Sequence, residues 1–561
     1  MTLQSFDDVL REGGEFGLYQ KRILFIACVT SGAVVMHNLS PVFTMKMPPH
    51  RCKIPGLEND TYELQSPQHA LLVNASIPRD VNGDYVTCTV YDVNLENTSE
   101  VACDDWVYDK SVFKSTYVTE LNLVCDRKQY RSHSTMMIFP GKFLGAFLNS
   151  IGGDYFGRRR MYLIMVLGMT ATGVGLMFVP NILTLMVLRF LMGATTTGAY
   201  LPAYVIPLEM QGPSYRRMTG TLLTTMSTIM TLLGGLCAFL LRDWRSYQAC
   251  LLSPCIVILV GYFFVPESPR WLVSKGRLDE AQKIVDAMAK TNGVSVAPKL
   301  SSAMFEKVDN LQNRGARVTP LQLFRIPRLL IRYSLLYLSW SLIAMAEYGL
   351  NYNVTNMSGD IFLNYSLSVG VKLLSLFLFF FLIERIGRRV FLLVSIGAGG
   401  VVCLASILPA VLGGSDWVFR GLSFFGKMCV SAGYSAIYVM SPELFPTVLR
   451  SFGLGSCSMM SRFGALASPY IADLNTYVSG VWGPALPQMV FGVAGLLTAG
   501  MIFFLPETRG RNLPETVRDA QLFGRIPHGD FAINTEVEII PKSKNEESEM
   551  LAPNESKNHT V

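Results

Sequence analysis

Apolar residues in this chain gather in runs of about 20, long enough as helices to cross the roughly 30 Å of a bilayer's hydrocarbon. Twelve such runs are predicted, at 22–44, 133–152, 161–180, 182–205, 218–241, 248–266, 329–350, 361–383, 390–412, 417–442, 453–475 and 485–505. They lack the short alternation of a membrane barrel, so an all-α integral membrane protein is expected. Two polar insertions, 45–132 and 267–328, interrupt the pattern, and a polar tail spans 506–561. Within the second insertion Leu278, Ala281, Val285 and Met288 recur at helical spacing among charges, which predicts an amphipathic helix.

Lys and Arg segregate among the short loops. Arg158, Arg159 and Arg160 follow the second run, Arg216 and Arg217 the fourth, Arg385, Arg388 and Arg389 the eighth, and Arg450 the tenth. The positive-inside rule then puts these loops, the N-terminal residues 1–21 and the tail in the cytoplasm, and 45–132 outside. Residues 1–21, with Asp7, Asp8, Arg11, Glu12 and Lys21, have no cleavable-signal layout and read as a retained end. The loop after the fifth run dissents, with Arg242 and Arg245 around Asp243.

Composition sharpens the class. Of 561 residues, 50% are apolar and 16% charged, too greasy for a multidomain soluble enzyme. The net charge of +6 is small and scattered, which argues against a nucleic-acid partner. Cys52, Cys88, Cys103 and Cys125 share the first insertion with sequons at Asn59, Asn74 and Asn97. A glycosylated, disulfide-tied outer domain is expected there, with three pairings open.

The two halves of the chain repeat. Asp154-Tyr-Phe-Gly157-Arg158-Arg159 recurs as Glu384-Arg-Ile-Gly387-Arg388-Arg389; Tyr204-Val205 with Glu209 and Arg216 recurs as Tyr438-Val439 with Glu443 and Arg450. Pro266-Glu267-Ser268 recurs as Pro506-Glu507-Thr508. Three ordered matches at nearly one offset imply two copies of a six-helix unit. This architecture, with the acid-x-x-Gly-Arg-Arg loops and Arg189-Phe-Leu-Met-Gly193, resembles the major facilitator superfamily. In that reading the acidic and basic residues of the repeated loops form gates at the half-to-half seam, holding the inner side closed and releasing as the halves rock.

Three further segments narrow the resemblance: Trp106 to Asp126 (WVYDKSVFKSTYVTELNLVCD), Pro266 to Leu272 (PESPRWL) and Glu443 to Arg450 (ELFPTVLR). They resemble signatures of solute carrier family 22, the organic cation, carnitine and organic anion transporters, over about residues 6–520. Gly193 to Gly198, with Ala203-Tyr204-Val205 and Glu209-Met210, resembles the insect organic cation transporter branch. The resemblance implies polyspecific, cofactor-free movement of small organic ions by alternating access at the plasma membrane, through a mid-membrane site. Coupling to Na⁺ or H⁺ and the oligomeric state stay open.

Charges inside the membrane are costly, so each is a candidate site residue: Lys142, Arg189, Glu347, Lys372, Lys427 and Arg462. Arg189 and Lys427 fall where the resembled family has a basic residue and are expected to tie helices together. Arg462 matches a position that is acidic in many vertebrate cation transporters and Arg in the carnitine, anion and insect branches. A guanidinium there can fork a carboxylate. Glu347 and Lys372 depart from the family pattern of Tyr and an acid, as does Lys142. The first two form either a mutual ion pair or the two contacts of a zwitterion site. Tyr200, Trp340 and Tyr434 match cavity positions, with Tyr348 and Tyr438 beside them on the same helices, and aromatic faces attract alkylammonium groups.

The expected cargo is therefore an organic cation or a zwitterion such as carnitine. An organic anion exchanger and a non-transporting receptor are the alternatives. Gly421 to Met428 nearly fits a phosphate loop, but Met428 stands where Mg²⁺ needs Ser or Thr. Neither nucleotide nor metal binding is expected.

Overall fold

The structure, a computed structural model, describes residues 6–79, 83–91, 100–295, 298–300, 325–478, 482–511, 513, 514 and 516–523. The sequon at Asn97 and the tail beyond 523 lie outside them. Twelve long helices are found among the described residues: α1 (Leu18–Leu39), α2 (Ile138–Phe156), α3 (Arg158–Gly175), α4 (Ile182–Glu209), α5 (Pro213–Leu241), α6 (Trp244–Gly261), α7 (Pro327–Asn353), α8 (Ile361–Ile386), α9 (Arg388–Ala405), α10 (Asp416–Leu444), α11 (Arg450–Ala472) and α12 (Trp482–Phe503). Nine are apolar enough by composition alone to cross a membrane. The other three, α2, α10 and α11, carry Lys142, Lys427 and Arg462.

The chain runs back and forth between two ends, one bearing the Arg158 and Arg388 loops (the arginine end), the other bearing the domain between α1 and α2 (the cap end). Helices α4, α6 and α8 start at the cap end under N-caps from Asn181, Asp243 and Asp360, each accepting a backbone N–H two or three residues into the helix at 2.8–2.9 Å. The repeat seen in sequence is a repeat in packing. In the first half α1 packs on α5, α2 on α4 and α3 on both α4 and α6; the second half repeats this as α7 on α11, α8 on α10 and α9 on both α10 and α12. Each half has its own apolar core.

One boundary moves. The second apolar run is expected from 133, with the outer insertion ending at 132, yet a helix Gln129–Met136 straddles that point before α2 begins. Arg131, Ser132, Ser134 and Thr135 are buried in it. Hydropathy misses such a turn, because its polar groups are satisfied by protein: Arg131 Nη2 and Ser132 Oγ reach Asp473 at 2.8 and 2.5 Å.

The cap holds two small antiparallel pairings, β1 (His50–Cys52) with β4 (Trp106–Tyr108) and β2 (Thr89–Tyr91) with β3 (Glu100–Ala102). Cys52 is joined to Cys103 and Cys88 to Cys125. Asp60 is clamped by Arg51 and by His69 Nε2 at 2.9 Å. Burial pushes its carboxyl up, but hydrogen bonds from Arg51, the Ile54 N–H and His69 outweigh burial and hold it below the usual value. The cap is fastened to the first half: Glu120 takes a two-pronged ion pair from Arg245 at 2.6 and 2.7 Å and the Trp244 indole at 2.8 Å, and Ser115 donates to Asp243 at 2.6 Å. Arg245, which breaks the charge rule in the loop after the fifth run, is thus paired with an acid of the cap.

On the opposite end the amphipathic stretch forms the helix Leu278–Asn292. Its buried Val285 and Met288 pack on Val9 and Leu10 of the helix Phe6–Glu12.

The halves meet at the cap end. Phe43, Phe113, Phe139 and Tyr247 of the first half share one buried cluster with Tyr352, Phe362, Tyr365 and Ala472 of the second. The Arg131–Asp473 pair, the Lys46 amine on the Thr355 carbonyl, and Lys128 on the Thr476 carbonyl at 3.2 Å cross the same seam.

Candidate substrate site and its gates

At the arginine end the repeated loops turn on Gly157 and Gly387, with φ of 95° and 104°. A Cβ at either would fall 2.5 Å from Glu267 Oε2 or 2.8 Å from Glu507 Oε2. Only glycine tolerates both the φ and the approach. Glu267 accepts the first N–H groups of α3, from Arg158 at 2.9 Å and Arg159 at 3.2 Å; Glu507 does the same for α9, from Arg388 at 2.9 Å and Arg389 at 3.0 Å. A carboxylate at a helix N-terminus meets both the free donors and the positive dipole end. Burial pushes Glu507 up, but the N–H groups of Arg509, Arg388, Thr508 and Arg389 outweigh it and hold the group below its ordinary value.

The acids that cap these helices are Glu267 and Glu507 of the third repeated motif, and not Asp154 or Glu384 of the first. Asp154 is exposed, and its carbonyl accepts from the Trp271 indole at 3.3 Å, while Glu384 pairs with Arg388 one turn away at 3.0 Å. The acids of the second motif reach back: Glu209 pairs with Arg158, and Glu443 with Arg388 Nε at 3.6 Å. Arg159 lies over the Tyr262 ring at 4.8 Å and Arg389 over Phe503 at 5.2 Å. The symmetry then lapses. Arg216 pairs with Asp7 at 2.5 Å, whereas Arg450 donates to the Pro442 carbonyl at 3.0 Å. These pairs, expected across the seam, lie within one half or the other, because in this conformation the halves join at the far end.

Mid-membrane, α7, α8, α10 and α11 bring the candidate residues together, with α2 and α4 facing them. Lys372 Nζ donates to Glu347 Oε1 at 3.0 Å, and Ser431 holds Oε2 at 2.6 Å. Lys427 donates to Asn351 Oδ1 at 2.8 Å and to Ser368. Glu347 and Lys427 are each 2% exposed. Trp340, fully buried, donates its indole N–H to Ser441 at 2.7 Å and stands edge-on to Tyr438 and Tyr434 at centroid distances of 4.5 and 6.4 Å. Trp340 therefore serves as the wall behind the two tyrosines. Tyr438 is 37% exposed despite its mid-helix place, and its hydroxyl meets that of Tyr434 at 3.3 Å.

Tyr348 faces the other half. Its ring meets Phe139 at 5.2 Å and the Lys142 amine at 5.1 Å, and its hydroxyl lies within electrostatic reach of the Arg462 guanidinium. Tyr434 and Tyr438 lie within electrostatic reach of the same guanidinium, as does Tyr200, which stacks on Tyr204 at 5.9 Å. Among the described residues neither Lys142 nor Arg462 has an acidic partner. Lys372 and Lys427 thus flank the carboxylate of Glu347, which is already doubly bonded, while Lys142 and Arg462 flank Tyr348. Arg189 stands apart, tying α4 to the end of α1 through Ser40 at 3.4 Å and Thr44 at 3.1 Å. Sequence missed Lys46, Arg131 and Asp473, whose pairing needs both halves in place.

Comparisons with known proteins identify the family. Residues 97–519 match the family model described as "Sugar (and other) transporter". The chain is 33% identical over 540 residues to the "Organic cation transporter protein" of Drosophila melanogaster, covering 93% of this chain and 95% of that one. It is 30% identical to "Solute carrier family 22 member 6-A" of Xenopus laevis, over 97% and 98% of the two chains. Its fold is similar to the inward-open xylose transporter XylE from E. coli, with a TM-score of 0.60 at 14% identity, covering 90% of this chain and 99% of that one. With two six-helix repeats, paired arginine loops and relatives matched along nearly their whole length, the chain belongs to solute carrier family 22 of the major facilitator superfamily, a multi-pass membrane transporter of small organic ions and not an enzyme.

Proposed function

We propose that this protein carries small organic ions bearing a carboxylate, zwitterions such as carnitine foremost, by alternating access at the plasma membrane. In this reading the arginine end and both termini face the cytoplasm, and the cap, glycosylated at Asn59, Asn74 and Asn97, faces outward. One observation carries the choice of cargo. Glu347 is occupied by Lys372 and Ser431, whereas Lys142 and Arg462 lack acidic partners among the described residues. A substrate carboxylate would take the Arg462 fork and the Lys142 amine, one from each half. An alkylammonium or apolar remainder would lie against Tyr200, Tyr434 and Tyr438. Binding then engages both halves at once, which is what a carrier needs if its cargo is to favour closure around the site.

The excess of four cations over one carboxylate also favours a second reading, a plain organic anion as cargo. Uptake of labelled carnitine, tetraethylammonium and p-aminohippurate into cells expressing the protein, with and without Na⁺, separates the two. Carnitine entry supports the first reading and p-aminohippurate entry alone the second. Tetraethylammonium alone would overturn both, and the Na⁺ arm reports coupling.

A further inference from the structure

Cys237 on α5 and Cys250 on α6 are two cysteines of the apolar runs that the transport reading leaves without a role. Their sulfurs lie 2.7 Å apart, closer than two unbonded sulfur atoms rest. Both side chains are partly exposed, and neither belongs to the mid-membrane site. Cys237 precedes the end of α5 at Leu241 by four residues and Cys250 follows the start of α6 at Trp244 by six, so both sit within about 10 Å of the cap-end surface at 1.5 Å of rise per residue. Tyr247 neighbours both thiols and stands edge-on to Phe43 at 5.8 Å; Phe43 in turn meets Tyr365 of the second half at 4.7 Å. The pair therefore backs onto the aromatic seam that closes the cap end.

We propose that Cys237 and Cys250 form a redox-active dithiol that hydrogen peroxide, small and neutral, converts to a disulfide stapling α5 to α6. The first thiol attacks the peroxide, breaking its O–O bond to give a sulfenic acid and one water. The second thiol then attacks that sulfur, forming the S–S bond and releasing a second water. Two S–H bonds and one O–O bond are exchanged for one S–S bond and two waters, with the thiols oxidised and the peroxide reduced. Because α5 and α6 belong to the same half, the staple travels with that half and leaves the rocking motion free. It closes a loop of 13 residues and stabilises the α5–α6 hairpin behind the seam.

Membranes from cells expressing the full chain are treated with hydrogen peroxide, denatured in a thiol-alkylating reagent and digested without reductant for mass spectrometry. A linked peptide joining the two positions is expected, lost on reduction and lost in Cys237→Ala and in Cys250→Ala. The melting temperature of peroxide-treated wild type should exceed that of the same sample after reduction, a difference absent from the double alanine variant. Full alkylation of both thiols after peroxide, in samples where Met226 and Met230 of α5 have become sulfoxides, would overturn the proposal. So would a linked peptide that leaves the melting temperature unmoved, as regards the staple's effect.

Discussion

Lys372 and Glu347, on consecutive helices, close an ion pair at 3.0 Å in the second half of the bundle, and Ser431 of α10 holds the remaining carboxylate oxygen at 2.6 Å. The pair joins three helices around one buried negative charge. Removing Lys372 strands the Glu347 carboxylate, whose side chain is 3% exposed, in a low dielectric at a cost of about 3–5 kcal/mol.

Glu347→Lys and Lys372→Glu, each alone, should therefore lose most surface protein and uptake. The charge-swapped double variant should recover a substantial part of both, since the pair is restored with reversed sense. Surface biotinylation with uptake measures this. No recovery in the double variant would show that Ser431 and Lys427 demand the native order.

Arg462 should set the charge preference of the cargo. Arg462→Gln removes a charge-assisted hydrogen-bond donor worth about 1.5–3 kcal/mol, which is about a 10- to 100-fold rise in KM for a carboxylate substrate. Arg462→Lys should retain part of the affinity, and Arg462→Asp should lower carboxylate uptake while raising that of cations. Unchanged KM in all three variants would remove Arg462 from the site.

Arg131 and Asp473 should latch the cap end. With Thr135→Cys as a reporter buried in that seam, adding Asp473→Asn should speed labelling by a membrane-impermeant maleimide by about tenfold, the equivalent of 1.4 kcal/mol. Lys46 adds a pH dependence. Burial, with the Arg131 charge beside it, brings its amine down to about 8. The closed seam thus binds the proton less tightly than an open one, where the amine titrates near 10.4. Raising pH from about 8 toward 10 should favour closure, and Lys46→Gln should flatten that part of the labelling profile relative to wild type.

Glu507 should make the arginine end acid-sensitive. Its folded carboxyl lies below the ordinary value, so its contribution is complete above about pH 4.3 and is lost as pH falls through the depressed value. Glu507→Gln leaves backbone donors under-satisfied at a cost of about 1–3 kcal/mol. It should lower the melting temperature at pH 7 and shrink the loss seen on acidification. Glu267→Gln, its counterpart in the first half, should lower the melting temperature in the same direction.

Much of the architecture was legible because membrane helices announce themselves. A bilayer demands apolar runs of fixed length and internally satisfied backbones, so runs, insertions, the half-to-half repeat and the arginine loops read directly. The three helices that composition alone underrates, α2, α10 and α11, carry Lys142, Lys427 and Arg462, as α4, α7 and α8 carry Arg189, Glu347 and Lys372 without losing their apolar signal. The Lys372–Glu347 contact was one of two options, since consecutive helices joined by a short loop bring such residues within reach. What each acid at the arginine end binds was not legible. Asp154 and Glu267 are both acids beside the same loop, and only the fold shows that Glu267 receives the N–H groups of α3.

The sequence by itself determined that the chain crosses a membrane as two copies of one six-helix unit, with its charges confined to loops, a cap and a few mid-membrane positions. Those features are set by local composition and by the length of a hydrocarbon layer. Tertiary structure decided which charges are spent on each other and which have no acidic partner among the described residues. Glu347 is consumed by Lys372 and Ser431, while Lys142 and Arg462 approach one another from opposite halves across Tyr348. Pairing energies fall off over a few ångströms, and only packing brings residues 320 positions apart to that range.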